Sequence, residues 1–368
     1  MERHELAAYL ALVQVPGIGA ARLRMLLAAF ESPGGVFHAP HGAIASLPGF
    51  SRAAATAIRS ASPSRGHEVL GQLERLGASV LVPDDDAFPP LLKEIPEPPA
   101  LLYVWGDTDL LKRPAAAMVG SRDHSAYGAE AARLLAAGVS RVAVVVSGMA
   151  RGLDAVVHTA ALDAGGATVG VLGNGFGVIY PAANRTLYER MIASGCLITE
   201  LPPGERPHAG AFPWRNRLIS GLAAVTVVIE AAPKSGALIT ADCALDQGRA
   251  VLAVPGPITS PTSVGCNKLI QQGAKPALSP GDILEELGLS APAPADDGSA
   301  SSRPARTSPS DLSELQRSLW EALAREPKHV DALAGMAGAG TSDVLTALTD
   351  LELRGLVQQR PGMVFALA

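Results

Sequence analysis

The sequence contains few cysteines and no apolar run long enough to cross a membrane. Its three cysteines, Cys196, Cys243 and Cys266, form no CxxC pair. This spacing argues against a metal site of the usual kind and against a disulfide framework, and it favours reduced thiols in a cytoplasmic protein. The N-terminus lacks the charged start and apolar segment of a secretory signal peptide. We therefore expect a cytoplasmic protein that does not enter a membrane.

Aromatic residues and net positive charge are also scarce. Phe, Trp and Tyr make up 4% of the chain, so aliphatic side chains must fill most of the core that 48% hydrophobic residues can build. Against 30 Lys and Arg stand 35 Asp and Glu, which gives a formal net charge of -5. A nucleic-acid-binding protein is usually basic, so this balance counts against that class unless cations are concentrated locally. The length predicts two or three domains.

Residues 1–80 have a helical pattern that is interrupted by Pro-Gly turns. The segment Val15–Gly19 resembles the hairpin of a helix-hairpin-helix, whose N–H groups can hold a DNA phosphate without reading sequence. Leu47–Ser51 looks like a second copy in which serine replaces the final glycine. The alternative is a structural hairpin in a small helical domain. A proline-rich connection over 83–99, with no regular element expected, leads to a predicted short strand at 101–106.

Residues from about 112 to 288 alternate short apolar runs with helical patterns. Continuous apolar runs are typical of strands buried on both faces, and their alternation with helices predicts a parallel, doubly wound sheet. The predicted strands are 115–119, 142–147, 168–172, 196–199, 226–230 and 250–254, and the predicted helices include 125–137, 152–164, 183–194 and 236–247. The predicted fold class is therefore α/β, with an extended Rossmann-like domain over residues 81–289.

The C-terminal part of the chain differs in composition from the rest. Residues 290–311 are rich in Pro, Ser and Ala, which predicts a flexible linker. Three helical patterns and a hairpin around Pro361-Gly362 then predict a winged helix over 312–368. Its candidate recognition helix, Thr341–Arg354, contains three acidic residues and one arginine. Because phosphates would repel such a helix, we favour protein contact or dimer packing over reading of a DNA groove.

Three predicted strand-to-helix loops combine glycine with a cation. They read Gly120-Ser121-Arg122, Gly148-Met149-Ala150-Arg151-Gly152 and Lys234-Ser235-Gly236. Glycine lets a phosphate approach the backbone, and each following helix directs free N–H groups and the positive end of its dipole at the same edge of the sheet. One such loop is commonly only a tight turn, but three at one edge indicate a shared anionic ligand. None has the P-loop or GxGxxG pattern, so no nucleotide cofactor is predicted.

Further cations and two aromatic residues lie in the other loops. Asn184-Arg185 follows a Tyr-Pro pair, and the segment Phe212–Arg217 precedes a helix that we predict to begin near Leu218. Arginine presents a planar fork to phosphate and can stack on bases. Phe212 and Trp214 could offer faces to unstacked bases, with a core aromatic as the alternative for Trp214.

The two arginines of this segment are not expected to act together. Arg215 and Arg217 are spaced so that only one points into the site, and the alternative for either is internal pairing with Glu200 or Glu230. The predicted DNA-binding residues are Gly120, Ser121, Arg122, Gly148, Arg151, Gly152, Asn184, Arg185, Phe212, Arg215, Asn216, Arg217, Lys234, Ser235 and Gly236.

The candidate catalytic groups do not form a recognisable constellation. Asp154, Glu230 and Asp242 lie near predicted loops, but no pair has an obvious acid and base assignment. His158 lies one helical turn beyond Asp154, a spacing that fits a hydrogen bond on a helix face as well as a dyad. Ser125 is predicted to cap the helix that follows it. We therefore predict no catalytic residue, no metal and no cofactor.

Together these motifs resemble the DNA-processing protein A (DprA/Smf) family. The matching stretches are Pro89–Leu92, Val119–Arg122, Ser147–Asp154, Gly173–Pro181, Glu200–Gly204, Phe212–Arg217, Ser235–Ala241, Gln247–Gly256 and Gly265–Ile270. The resemblance implies an extended Rossmann fold that binds and protects single-stranded DNA and is not an enzyme. It also implies a homodimer that loads the recombinase RecA past single-strand-binding protein during natural transformation. The N-terminal domain of the family is often similar to a sterile-α-motif domain.

Family roles in DNA binding fall on two positions of this chain. One is Arg122. The other is Arg185, where many relatives have lysine, so that the charge is kept but not the point-like geometry of an ammonium group.

Two other hypotheses remain. The fold also resembles the lysine-decarboxylase-like phosphoribohydrolases, which are nucleotide-processing enzymes that bind phosphate on such loops. Those enzymes have a PGGxGTxxE motif, whereas residues 234–240 of this chain read KSGALIT and lack the glutamate that would do the chemistry. The third hypothesis is a scaffold for recombination partners whose middle domain binds no DNA.

Overall fold

The structure, a computed structural model, describes residues 1–290, 312–323, 328–360 and 362–367. Two compact units divide the chain, Met1–Pro294 and Ala295–Ala368. Apart from residue 290, the predicted linker lies outside the described residues. The finer division into four parts stays a prediction.

Six helices form the N-terminal part of the first unit. They are α1 (Arg3–Val13), α2 (Ala20–Phe30), α3 (Pro33–His38), α4 (His41–Ala45), α5 (Arg52–Ser60) and α6 (Pro63–Leu76). The hairpins before α2 and α5 each contain a backbone hydrogen bond at the equivalent position. In the first hairpin the Ile18 N–H donates to the Val15 carbonyl at 3.0 Å, and in the second the Phe50 N–H donates to the Leu47 carbonyl at 3.1 Å. The two hairpins therefore have the same local geometry, and DNA contact by them stays a prediction.

Nine strands form one sheet in the first unit. They are β1 (Ser79–Leu81), β2 (Leu102–Gly106), β3 (Ala115–Val119), β4 (Val144–Ser147), β5 (Thr168–Val171), β6 (Cys196–Thr199), β7 (Val225–Val228), β8 (Ala250–Ala253) and β9 (Lys275–Pro276). Their order is β1-β2-β6-β5-β4-β3-β7-β8-β9. All pairs from β6 to β9 are parallel, which confirms the predicted sheet, and β1 and β2 add an antiparallel edge.

Helices cover both faces of this sheet. They are α7 (Pro90–Lys93), α8 (Ala126–Ser140), α9 (Leu153–Asp163), α10 (Arg185–Ser194), α11 (Ala211–Gly221), α12 (Gly236–Asp246), α13 (Val264–Gln271) and α14 (Pro280–Glu286). Successive residues of β3 belong to different hydrophobic clusters, one on each face of the sheet. Met118 belongs to the same cluster as Leu135 and Val157, whereas Val119 belongs to the same cluster as Leu218 and Ala237. Because both faces are buried, each strand reads as a continuous apolar run.

The N-terminal helices pack against the β2–β6 end of the sheet. Leu10 of α1 shares an apolar cluster with Tyr103 of β2 and Leu197 of β6. The Tyr9 hydroxyl also donates a hydrogen bond to the Ala100 carbonyl at 2.6 Å. Residues 1–78 and the sheet are thus parts of one continuous hydrophobic interior.

Two predictions about proline were wrong. The helix that we predicted to begin near Leu218 begins at Ala211, because Pro213 lies in the first turn, where the missing N–H removes no intrahelical bond. The connection over 83–99, in which we expected no regular element, contains the short helix α7, which starts at Pro90 for the same reason.

The second unit has the predicted winged-helix elements. They are α15 (Glu314–Leu323), β10 (Lys328–His329), α16 (Val330–Ala337), α17 (Thr341–Leu353), β11 (Val357–Arg360) and β12 (Val364–Leu367). Trp320, Leu333, Leu348 and Phe365 form its core. Pro361 of the predicted turn lies outside the described residues. In neither unit does a described helix have the length and apolarity that a membrane span needs.

Candidate functional site

The order in which the chain adds strands to the sheet reverses between β3 and β7. The strands that follow β3 along the chain lie on one side of it, and those from β7 onward lie on the other. Helices therefore leave β3 and β7 toward opposite faces, and a crevice opens between their carboxyl ends. The loops Gly120–Arg122 and Lys234–Gly236 line a cavity of about 780 Å³ at this position. The structure thus brings together two of the three loops that the sequence singled out.

The third loop lines an adjoining cavity. Gly148 and Arg151, which follow β4, border a space of about 360 Å³. Arg122, Tyr180 and Phe212 line both cavities and form the boundary between them. All three glycine-and-cation loops therefore open onto one continuous rim at the carboxyl ends of the strands.

Arg122 lies at the centre of this rim. Its side chain is exposed and makes no ion pair within the part of the chain that the structure describes. The guanidinium carbon lies 5.7 Å from the centroid of the Phe212 ring, whose own neighbour is the Tyr180 ring at 5.4 Å. The rim therefore presents an exposed cation beside a pair of aromatic rings.

The close fit of two loops fixes the position of Arg122. Gly152 has a φ of +85°, and a Cβ there would lie 2.5 Å from the Arg122 carbonyl oxygen. The Leu153 N–H donates a hydrogen bond to the Ser121 carbonyl at 3.1 Å. Only glycine allows both the backbone conformation and this approach, so Gly152 shapes the rim, and its contact with DNA stays a prediction.

Arg215 lines the larger cavity but is committed to the protein. It is buried, and its Nη1 donates hydrogen bonds to the carbonyls of Gly148, at 2.5 Å, and Val171. Burial lowers the pKa of Arg215 to about 10, and the nearby Asp154 carboxylate raises it in opposition. The guanidinium thus holds the ends of β4 and β5 together beneath the rim.

Arg217 faces away from both cavities. Its Nη2 lies 2.8 Å from Oε1 of Glu200, and its guanidinium packs against the Trp214 ring. Of the two arginines, only Arg215 lines the predicted site. For Arg217 the alternative is correct, because it forms an internal ion pair with Glu200. Trp214 is 51% exposed and so does not belong to the core.

The remaining predicted residues fall into two groups. Asn216, Ser235 and Gly236 line the larger cavity, where Ser235 caps α12. Asn184 is buried and donates hydrogen bonds to the carbonyls of the loop after β4, at 3.0 and 3.3 Å, so it shapes that loop. Arg185 is an exposed residue at the start of α10 that lines neither cavity.

Other cations differ in how freely they could meet a ligand. Lys234 is exposed beside the larger cavity. Arg151 is exposed and lies 3.3 Å from Asp123, an ion pair that water and salt weaken. The sequence did not single out Tyr180 as a site residue. Its only signal there was the Tyr-Pro pair before Asn184, and its proximity to Phe212 depends on the tertiary fold.

The carboxylates near the site are already engaged. Glu230 accepts hydrogen bonds from the Ser125 N–H and hydroxyl at 2.9 and 2.6 Å and from Thr262 at 2.8 Å. Ser125 caps α8 as predicted. Burial raises the pKa of Asp154, whose Oδ2 accepts a hydrogen bond from the Ala150 N–H.

His158 does not form a dyad with Asp154. Its Nδ1 lies 2.7 Å from the Thr168 hydroxyl, and burial lowers its pKa to about 3, which keeps the ring neutral. Across the described ranges, no group of three or more His, Cys, Asp or Glu residues is arranged to hold a metal ion.

The fold and the site define a class: an extended Rossmann-like α/β protein with a cationic, aromatic-lined crevice at the switch point of its sheet. The sequence profile of the DNA recombination-mediator protein A family matches residues 79–288, and that of the DprA winged helix domain matches residues 303–363. The chain belongs to this family, the DprA/Smf proteins, which are DNA-processing proteins.

Individual relatives agree with this assignment. Protein Smf of Synechocystis is 33% identical over 99% of both chains. The X-ray structure of DNA processing protein A from Streptococcus pneumoniae has a TM-score of 0.68 and 34% identity, over 78% of this chain and 98% of that one. A structure that describes the single-stranded DNA binding mode of DNA processing protein A from Helicobacter pylori has a TM-score of 0.51 and 28% identity, over 57% of this chain and 95% of that one.

Proposed function

We propose that this chain binds single-stranded DNA along the carboxyl rim of its sheet and acts as a recombination mediator. The observation that carries the proposal is Arg122, an exposed guanidinium that lies between two cavities and against the Phe212 ring. A relative of known structure is described by its single-stranded DNA binding mode. The net charge of -5 is compatible with this role because the exposed cations Arg122, Arg151 and Lys234 line the cavities of the rim.

The rim suits a single strand better than a duplex. Phosphates can approach the loop at Gly120 and the first turn of α12, which begins at Gly236. Tyr180 and Phe212 offer ring faces on which unpaired bases can stack, and such faces accept any base. In a duplex the bases are already stacked on each other. We therefore expect strong salt dependence and little sequence preference.

The finer role follows from family membership. We propose that the protein protects incoming single strands, loads RecA onto them past single-strand-binding protein during natural transformation, and works as a homodimer in the cytoplasm. The winged helix is assigned to protein contact or dimer packing, because acidic residues lie along α17.

A nucleotide-processing enzyme fits the site less well. Such chemistry needs a carboxylate that is free to act as acid, base or nucleophile. Glu230 accepts three hydrogen bonds from the protein, and Asp154 lies buried near Arg215. The sequence KSGALIT also lacks the glutamate of the phosphoribohydrolase motif. We therefore propose a binding role without catalysis.

The proposal is tested by titrating a fluorescent oligo(dT) with the wild-type chain, Arg122→Ala and Arg141→Ala at one salt concentration. Arg141 is an exposed arginine at the far end of α8, so it controls for loss of one positive charge. We expect Arg122→Ala to weaken binding about 10- to 100-fold, as for loss of a charged hydrogen bond. Arg141→Ala should stay within twofold. Equal affinities for all three proteins would remove Arg122 from the site.

A further inference from the structure

Trp214 is an exposed aromatic residue that the two cavities do not contain. It lies in the first turn of α11, two residues after Phe212, and is 51% exposed. A tryptophan ring that is half exposed beside the proposed DNA site offers a large aromatic surface to a ligand. The sequence left two roles open for it, core packing and base stacking, and its exposure rules out the first.

The Trp214 ring is held in place from one side. The guanidinium carbon of Arg217 lies 4.3 Å from the ring centroid, a distance typical of a cation–π stack. Arg217 is itself fixed, because it is buried and lies 2.8 Å from Glu200. One face of the ring is thus backed by an anchored group, and the exposed area belongs to the rest of the ring.

Trp214 shares the first turn of α11 with Phe212 of the rim. At 3.6 residues per turn, Trp214 is about 200° around the helix from Phe212. Phe212 lines the cavities together with Tyr180 and Arg122, whereas Trp214 lines neither and is exposed. A single strand bound at Phe212 would have to pass over the first turn of α11 to reach Trp214.

The geometry points to Trp214 as a second stacking site, one that binds an unpaired nucleobase outside the two cavities. The inference rests on the proposed function and adds a subsite to it. Stacking on an exposed ring does not depend on base identity, so this subsite extends the length of DNA bound without adding sequence preference. Arg217 acts as a positioning residue, since it supports the ring and faces away from the cavities.

Binding of oligo(dT) by variants of the full chain tests the subsite. Trp214→Leu removes the aromatic face and should weaken binding about tenfold, whereas Trp214→Phe keeps a ring and should stay within about threefold of wild type. The control is Leu134→Ala, which alters an exposed apolar side chain on a different helix, α8, and should have no effect. If Trp214→Leu binds as tightly as wild type, the inference is wrong.

Fluorescence gives a second, direct readout. The chain has three tryptophans, and Trp320 is buried in the C-terminal unit while Trp105 is only partly exposed. Oligo(dT) should quench the wild-type emission, and Trp214→Phe should lose most of that quenching. Unchanged quenching in Trp214→Phe would overturn the inference. A Trp214 emission that shifts when the protein is diluted without DNA would also overturn it, because a second copy of the chain would then cover the ring.

The two proposals fail in different ways. If the wild-type chain does not bind oligo(dT), the proposed function itself is wrong. If wild type binds and Arg122→Ala weakens binding while both Trp214 variants match wild type, only the second stacking site is excluded.

Discussion

The carboxyl rim of the sheet and the C-terminal winged helix are both frameworks that proteins use against nucleic acid, yet their charges are opposite. The rim exposes Arg122 and Lys234 next to aromatic rings. On α17, Asp343 and Glu352 are exposed, and Arg354 lies 3.1 Å from Asp350. The difference teaches that the local distribution of charge, and not the type of fold, indicates which region meets phosphate.

The largest expected effect comes from the buried support of the rim. Arg215→Met should lower the free energy of unfolding of the first unit by about 3 kcal/mol and abolish DNA binding, because the Gly148 and Val171 carbonyls lose their donor. Thermal unfolding followed by circular dichroism measures the loss. Arg215→Lys, which keeps the charge, should lie between wild type and Arg215→Met.

The winged helix supplies the internal control for that experiment. Trp320 lies in its core and reports its unfolding by fluorescence once Trp105 and Trp214 of the first unit are replaced by Phe. Its transition should stay unchanged in Arg215→Met. A shift of both transitions by the same amount would contradict a role for Arg215 that is confined to the rim.

Acid should also lower the stability of the first unit through His158. His158 is neutral in the fold because its pKa falls from 6.5 to about 3, whereas the unfolded chain takes up a proton near 6.5. Stability from this group is therefore present above pH 6.5 and is lost as the pH falls toward 3. Between pH 7 and 5 the first unit should lose about 2 kcal/mol through His158 alone. Urea unfolding at both pH values, compared with His158→Asn, measures the difference, and equal losses in both proteins would refute it.

Two matched glycines test the fit of the rim loops. Gly152→Ala should weaken oligo(dT) binding about tenfold, because its Cβ would displace the backbone of Arg122. Gly165 also has a positive φ, of +66°, but a Cβ there meets open space. Gly165→Ala should therefore add strain at a positive φ without a steric clash and leave DNA affinity unchanged. Equal weakening in both variants would show that strain, and not rim geometry, matters.

The smallest effect is expected in the winged helix. Neutralising Asp343 and Glu352 as Asp343→Asn with Glu352→Gln in the full chain should change oligo(dT) affinity less than twofold, because α17 is assigned to protein contact. A tenfold gain or loss in the same titration would show that this helix meets DNA.

The sequence predicted the sheet and its rim more reliably than the side chains around them. Buried strands appear as apolar runs such as 115–119, and strand ends carry visible glycine-and-cation motifs, so Arg122 and Lys234 were found directly. The direction of Arg217 and Trp214 depends on where α11 begins. Reading Pro213 as part of a loop hid that start, since proline fits a first turn as well.

Contacts between segments that are distant in the chain could not be predicted from the sequence either. Tyr180 and Phe212 are separated by many residues and meet only because neighbouring strands place their loops side by side. Likewise, Asn184 and Arg215 carry groups that could bind phosphate, but their hydrogen bonds go to backbone carbonyls. Residue type identifies what a side chain can bind, and the tertiary fold decides which partner it reaches.

The most direct test of the account is the salt dependence of oligo(dT) binding by wild type and by the double variant Arg122→Ala with Lys234→Ala. Each phosphate contact on a single strand contributes about 0.7 to the slope of log K against log salt. Removing both cations should therefore reduce the magnitude of the slope by about 1.4. An unchanged slope would contradict the claim that the rim binds the DNA backbone through these side chains.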